Sequence, residues 1–211
     1  MASPAKRVRI LLPICSSCNN GWMSGLESDV KPLLSKLILA EPTTIGDDDA
    51  DLLAAWAMKT LVNAAFESHQ HASELVPLEF RDYLRKYRRP PPEVSLVAFR
   101  VDGLDTKVRT RVKGIPIRKQ GGRQVDAAVV STALIGRVAV QMASHVKPGT
   151  PQPTRAGSFE NAAMTLWPPE ARNEPAGTAG FAWPPPGAIT GDTEFEPIAD
   201  PDDDDVRAWM P

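Results

Sequence analysis

Cysteine is almost absent from this chain of 211 residues: Cys15 and Cys18 are the only two, which excludes a fold stapled by disulfides. A pair at this spacing closes only a tight turn, and in a reducing compartment it favours metal or redox use. Histidine is nearly as scarce, and His69, His71 and His145 all lie C-terminal to the cysteines. Long apolar runs are missing too. Ile10 to Cys15, and Leu33 to Ala40 even counted across Ser35 and Lys36, are far below the ~20 residues that a membrane span needs, so no membrane partner is expected. The start, Met1-Ala2-Ser3-Pro4-Ala5-Lys6, lacks the apolar stretch of a signal peptide, which makes a cytoplasmic location the expectation.

What is present is enough apolar material, 42% of residues, for one core, together with marked segregation of charge behind a net charge of only −2. Residues 1–80 carry a net −4, residues 81–126 a net +8, residues 127–169 a net +2 and residues 170–211 a net −8. A basic middle suits a polyanion, and an acidic end is suited to masking it.

The hydrophobic period divides the chain. Arg7 to Ile14 reads as a strand delivering Cys15 into a turn. A helix is expected just after Cys18, with Trp22, Leu26, Val30, Leu33, Leu34, Leu37 and Ile38 on its apolar face and Pro32 dividing it. Asp47-Asp48-Asp49 opens a second helix of about five turns carrying Leu52, Leu53, Trp56, Thr60, Asn63 and Phe66, because acids suit the positive end of the helix dipole. Pro77 to Tyr87 predicts a shorter helix, ended by Arg89-Pro90-Pro91-Pro92. From Glu93 the period becomes two, through Val94 to Val101, Val108 to Ile115 and Val129 to Met142.

Past His145 the chain holds 12 of its 21 prolines, with short strand-like pieces at Ala162 to Trp167 and Gly180 to Trp183 and an acidic run at Asp202 to Asp205 that reads as disordered. The expected fold class is α+β: a strand–knuckle–helix remnant of a treble-clef finger, a helical section, then a mostly antiparallel sheet with a Pro-rich acidic tail. In sequence terms these are residues 1–40, 41–92, 93–169 and 170–211.

The run Cys15-Ser16-Ser17-Cys18-Asn19-Asn20-Gly21-Trp22-Met23-Ser24-Gly25-Leu26-Glu27 resembles the knuckle of one branch of the HNH endonuclease superfamily. The likeness continues through Lys31-Pro32-Leu33-Leu34, Leu53 to Thr60, Trp167-Pro168-Pro169 and Trp183-Pro184-Pro185. The resemblance implies that Cys15 and Cys18 are the second of two cysteine pairs holding zinc, and that Asn19 matches the last metal-contacting position of the catalytic motif. It also implies phosphodiester hydrolysis assisted by a divalent cation such as magnesium. The first cysteine pair and the Glu/Asp-His-Val-Ile-Pro element that precede this knuckle in the family do not occur here. What is left is a zinc half-site, to be completed by a second copy, a partner chain or an upstream segment. His69 and His71, at the end of the second helix, read as solvated residues and only remotely as further zinc ligands.

Two basic rows suggest DNA as a partner. Arg81, Arg85 and Arg88 share one helical face, and Arg109, Arg111 and Lys113 alternate on one strand face. Such rows are more often solvated surface, and the tryptophans read as packing residues rather than base-stacking platforms. The function expected is therefore HNH-related nucleic-acid binding by a chain truncated or degenerate in catalysis. The alternatives are a non-catalytic protein-interaction module, or a nuclease completed from outside.

Overall fold

In the computed structural model, residues 14–68, 76–104, 108–118, 124–145, 160–172 and 180–199 are described. The expected strand before Cys15, His69, His71 and the run Asp202 to Asp205 lie outside them. The helices are α1 (Ser24–Leu39), α2 (Asp47–Ser68), α3 (Leu78–Tyr87) and α4 (Gly191–Ala199). The strands are β1 (Thr43–Ile45), β2 (Val94–Asp102), β3 (Val108–Arg118), β4 (Gln124–Ile135), β5 (Val138–His145), β6 (Ala163–Trp167), β7 (Phe181–Trp183) and β8 (Ile189–Thr190). The main sheet runs β3-β4-β5-β2-β6 with antiparallel neighbours throughout, β8 adds a short parallel pairing to the end of β2, and β1 pairs with β7 separately. The chain is thus α+β with a mostly antiparallel sheet.

Alternation sorts the sheet into two faces. Leu96, Ala98, Val112, Val129, Ala133, Val140 and Met142 share one core cluster with Leu53, Met58 and Leu61 of α2. Ala50, Ala54, Ala57 and Ala65 are fully buried along the same helix, and their small side chains let it lie close on the strands. The opposite face places Phe99, Leu134 and Ala139 against Phe195, Ile198 and Ala199 of α4. Polar groups tie that helix down: the Gln141 amide donates to the Ile198 carbonyl at 2.5 Å and to Thr132 Oγ1 at 3.0 Å.

α2 starts at the expected acidic turn, and the structure adds its counter-charge. Arg172, buried, pairs with Asp47 at 2.7 Å and with Asp51, while its Nε donates to the Leu166 carbonyl at 3.1 Å. α3 begins after Pro77 and stops at Arg88, whose φ of 57° is left-handed. Trp167 and Trp183 end β6 and β7, each before a cis proline, and are buried like Trp56.

Three expectations differ from what is observed. Pro32 does not divide its helix: α1 is continuous across it, with the proline on the solvent side and Val30 and Leu37 buried. Burial of that apolar face outweighs one lost backbone hydrogen bond. The break falls earlier, at Gly21 (φ −98°, ψ −112°). The run Val129 to Met142 is two strands, turned at Gly136, whose φ is 61°. An added Cβ at Gly136 would lie 2.5 Å from Ile38 Cγ2, because this turn docks on the end of α1 and the Arg137 N–H donates to the Ile38 carbonyl at 3.1 Å. Finally, the Pro-rich acidic end is more than a tail, since β7, β8 and α4 are built from it and α4 closes one face of the sheet. Its prolines concealed a helix whose buried residues are only Phe195, Ile198 and Ala199.

Candidate functional site

Cys15 stands on extended backbone (φ −67°, ψ 146°) and opens a short helical turn, Ser16–Cys18, that runs through the irregular turn Asn19–Met23 into α1. Its sulfur is exposed, accepts the Cys18 backbone N–H at 3.2 Å and shares a hydrogen bond with the Ser17 hydroxyl at 3.3 Å. The two thiols are set apart electrostatically. Hydrogen bonding from the Cys18 side chain, then from Ser17 and the Cys18 N–H, with a smaller contribution from the Arg85 charge, lowers the Cys15 thiol to about 7. Cys18 moves the other way, raised first by its bond to Cys15 and then by desolvation, with Trp22 and Arg85 opposing.

Beside the turn lies a pocket of about 290 Å³ between the cysteines, α2 and α3. Trp22, Met23, Val62, Phe66 and Leu84 supply its apolar walls, and Lys59, Arg81 and Arg85 its cations. The Lys59 side chain is only 6% exposed and pairs with Glu27 of α1. The Arg81 guanidinium lies 4.9 Å from the Phe66 ring centre, and the Arg88 guanidinium 4.5 Å from that of Trp22. Among the described residues one buried donor in this pocket, Arg81 Nε, has no hydrogen-bond partner, while the Trp22 side chain bonds to Cys18. A buried unsatisfied donor costs ~1–3 kcal/mol, so a ligand offering acceptors here recovers part of that.

The basic residues named from sequence are divided by the fold. Arg81, Arg85 and Arg88 sit in the helical layer, beside Cys15, Cys18 or Trp22. Arg109, Arg111 and Lys113 alternate with Val112, which packs under α2, and so they lie on the other face of the sheet. There Arg109 pairs with Asp192 at 3.4 Å and with Glu196, both of α4. Arg111 is exposed, and its Nη1 donates to the Thr110 carbonyl at 3.2 Å; Lys113 is half-buried.

Asn19 is exposed on the cysteine turn, its backbone N–H donating to the Cys15 carbonyl at 3.0 Å. His145 ends β5 opposite Ala128. Among the described residues no group of three or more His, Cys, Asp and Glu is placed to hold a metal ion. For zinc the cysteines supply two of four donors, and for a catalytic cation Asn19 stands without a carboxylate or imidazole cluster. The described residues alone therefore do not fit either metal. Sequence reasoning did not find the pocket or the Lys59–Glu27 pair; the signal was a lysine inside the apolar run Ala54-Ala55-Trp56-Ala57-Met58-Lys59-Thr60-Leu61.

Comparison with known proteins finds no matching family model, no matching curated protein and no matching solved structure. Among the described residues no helix is long and apolar enough to cross a membrane.

Proposed function

We propose that this chain is an HNH endonuclease-related nucleic-acid-binding protein that meets a phosphate backbone with α3 and the cysteine turn, and that it does not cleave by itself. One observation carries the reading: Arg85, Lys86, Arg88 and Arg89 are all exposed along and just after α3, with Arg85 lining the same pocket as Cys15 and Cys18. Charges so placed can replace the counterions of a nucleic acid, Arg85 exchanging its exposed 3.6 Å pair with Asp82 for a phosphate, and their alkyl stems and aromatic neighbours hold them in position. Water activation is the missing chemistry, because general-base assistance is worth ~10²–10⁴-fold and Asn19 has no basic nitrogen to supply it.

Titration of a fluorescent duplex across a range of salt concentrations tests this reading. Affinity should fall linearly with salt on logarithmic axes, and the duplex should stay intact in magnesium or manganese. Salt-independent binding removes the phosphate contact, and metal-dependent cleavage that Asn19→Ala abolishes removes the non-cleaving half.

A second reading, a protein-interaction module, is favoured by β3. This strand of 11 residues is an edge of the main sheet, with Val108 67% exposed. An extended peptide can add to such an edge through backbone hydrogen bonds. Pull-down by strand β3 without any effect of salt on the contact would distinguish it.

A further inference from the structure

We propose that Cys15 and Cys18 form a redox-active dithiol that exchanges with small, carboxylate-bearing disulfides seated in the adjoining pocket. The inference goes beyond nucleic-acid binding: it shares the cysteine turn and Arg85 with that reading and adds the thiol chemistry and the pocket walls Trp22 and Phe66. Two thiols alone leave a zinc ion half-coordinated, but they are complete for dithiol chemistry. Cys15 is the attacking sulfur, since it is the exposed one and is held by the Cys18 N–H and the Ser17 hydroxyl. Cys18, less exposed and one helical turn on, is placed to resolve.

The pocket defines the substrate class. Arg81, Arg85 and Lys59 line it; Lys59 pairs with Glu27 and Arg85 with Asp82 at 3.6 Å, so three cations face two carboxylates and the pocket favours anions, while Trp22 and Phe66 offer apolar surface to the rest of the molecule. Among the described residues Arg81 Nε, buried in the same pocket, has no hydrogen-bond partner, and carboxylates and peptide carbonyls provide the acceptor it lacks.

The exchange balances in two steps. The Cys15 thiolate attacks one sulfur of the substrate disulfide, forming a mixed disulfide and expelling one substrate thiolate. Cys18, after giving its proton to solvent, attacks the Cys15 sulfur, forming the intramolecular disulfide and expelling the second thiolate. Two protein thiols are oxidised, one small disulfide is reduced to two thiols, and the two protons lost by the cysteines end on the products.

The test uses the full chain with oxidised glutathione as the anionic probe, hydroxyethyl disulfide as the neutral one and cystamine as the cationic one, read by mass spectrometry and by release of free thiol. The wild-type chain should gain an internal disulfide, and Cys18→Ser should accumulate glutathione on Cys15, whereas Cys15→Ser should accumulate far less. Arg81→Gln with Arg85→Gln should slow exchange with oxidised glutathione about tenfold, the effect of losing roughly one charge-assisted hydrogen bond, and slow hydroxyethyl disulfide far less, by only the small contribution of Arg85 to the Cys15 thiolate. Circular dichroism of each variant guards against loss of fold. Equal rates for all three probes overturn the proposal, as does glutathione on Cys18 alone, or a chain that carries one chelator-resistant zinc and reacts with none of the probes.

Discussion

On the helical side of the sheet, Arg81 and Arg88 rest on aromatic rings and Arg85 has one exposed carboxylate, Asp82, at 3.6 Å; on the other side, the less exposed Arg109 is met by two carboxylates of α4. Both rows come from the same basic stretch of sequence, and their formal charges are alike. They differ in what the fold sets opposite them. A guanidinium over a ring keeps its charge available to a further anion, whereas one paired with Asp192 and Glu196 has already spent most of its field. Net charge in a segment therefore overstates the surface a polyanion can use.

The largest effect that sharpens this division concerns α4 itself. Phe195→Ala removes a fully buried ring from the second core and should cost about 3–5 kcal/mol in urea unfolding. At temperatures where the variant remains folded, its affinity for duplex DNA should stay at the wild-type level, and a parallel loss of affinity breaks the division. Next in size, Arg85→Glu with Arg88→Glu should weaken duplex binding by at least about tenfold and reduce the salt slope by roughly 2. Arg109→Glu with Arg111→Glu should change it far less; a reversal of that order in the same titration places the nucleic acid on the wrong face.

A smaller change is expected when Arg109 is released. Asp192→Asn with Glu196→Gln should raise affinity by less than the α3 variants lower it, and a gain as large as that loss means that the two faces contribute equally.

The smallest effect is electrostatic and local. The rate of Cys15 alkylation should rise with pH through a midpoint near 7, and Arg85→Ala should move that midpoint upward slightly. Because the folded chain lowers this thiol below its ordinary value, the linked stability is present above the unfolded value and is lost as pH falls through about 7. A midpoint unmoved from the ordinary thiol value, measured by alkylation mass spectrometry, removes the hydrogen bonds that hold Cys15.

Much of the fold was legible because periodicity reports burial. Asp47 to Ser68 announced itself by its acidic first turn, and the strand-like pieces ending at Trp167 and Trp183 match β6 and β7. α4 was not legible, since Asp192, Glu194, Glu196 and Pro197 dilute a face of three buried residues. The turn at Gly136 was hidden because strand-like residues continue on both sides of it, and only the approach of Ile38 reveals why glycine is there. Of the site, the cysteine pair and the α3 arginines were visible from residue type alone. Their convergence on one pocket was not, because it depends on how α1 and α3 cross α2, which no local pattern encodes.

The seat of Ile38 against Gly136 reaches further than the hairpin it closes. α1 spans 16 residues, about 24 Å at 1.5 Å per residue, from that seat to the cysteine turn. The helix is held along its length by buried Val30 and Leu37 and by the Glu27–Lys59 pair, so a shift forced at the Gly136 end moves it as a whole and reaches Cys15 and Cys18 through the bend at Gly21. The cysteine turn is therefore aimed by the sheet hairpin at the far end of the helix, and a bulkier residue at position 136 is felt as misalignment at a site it never touches.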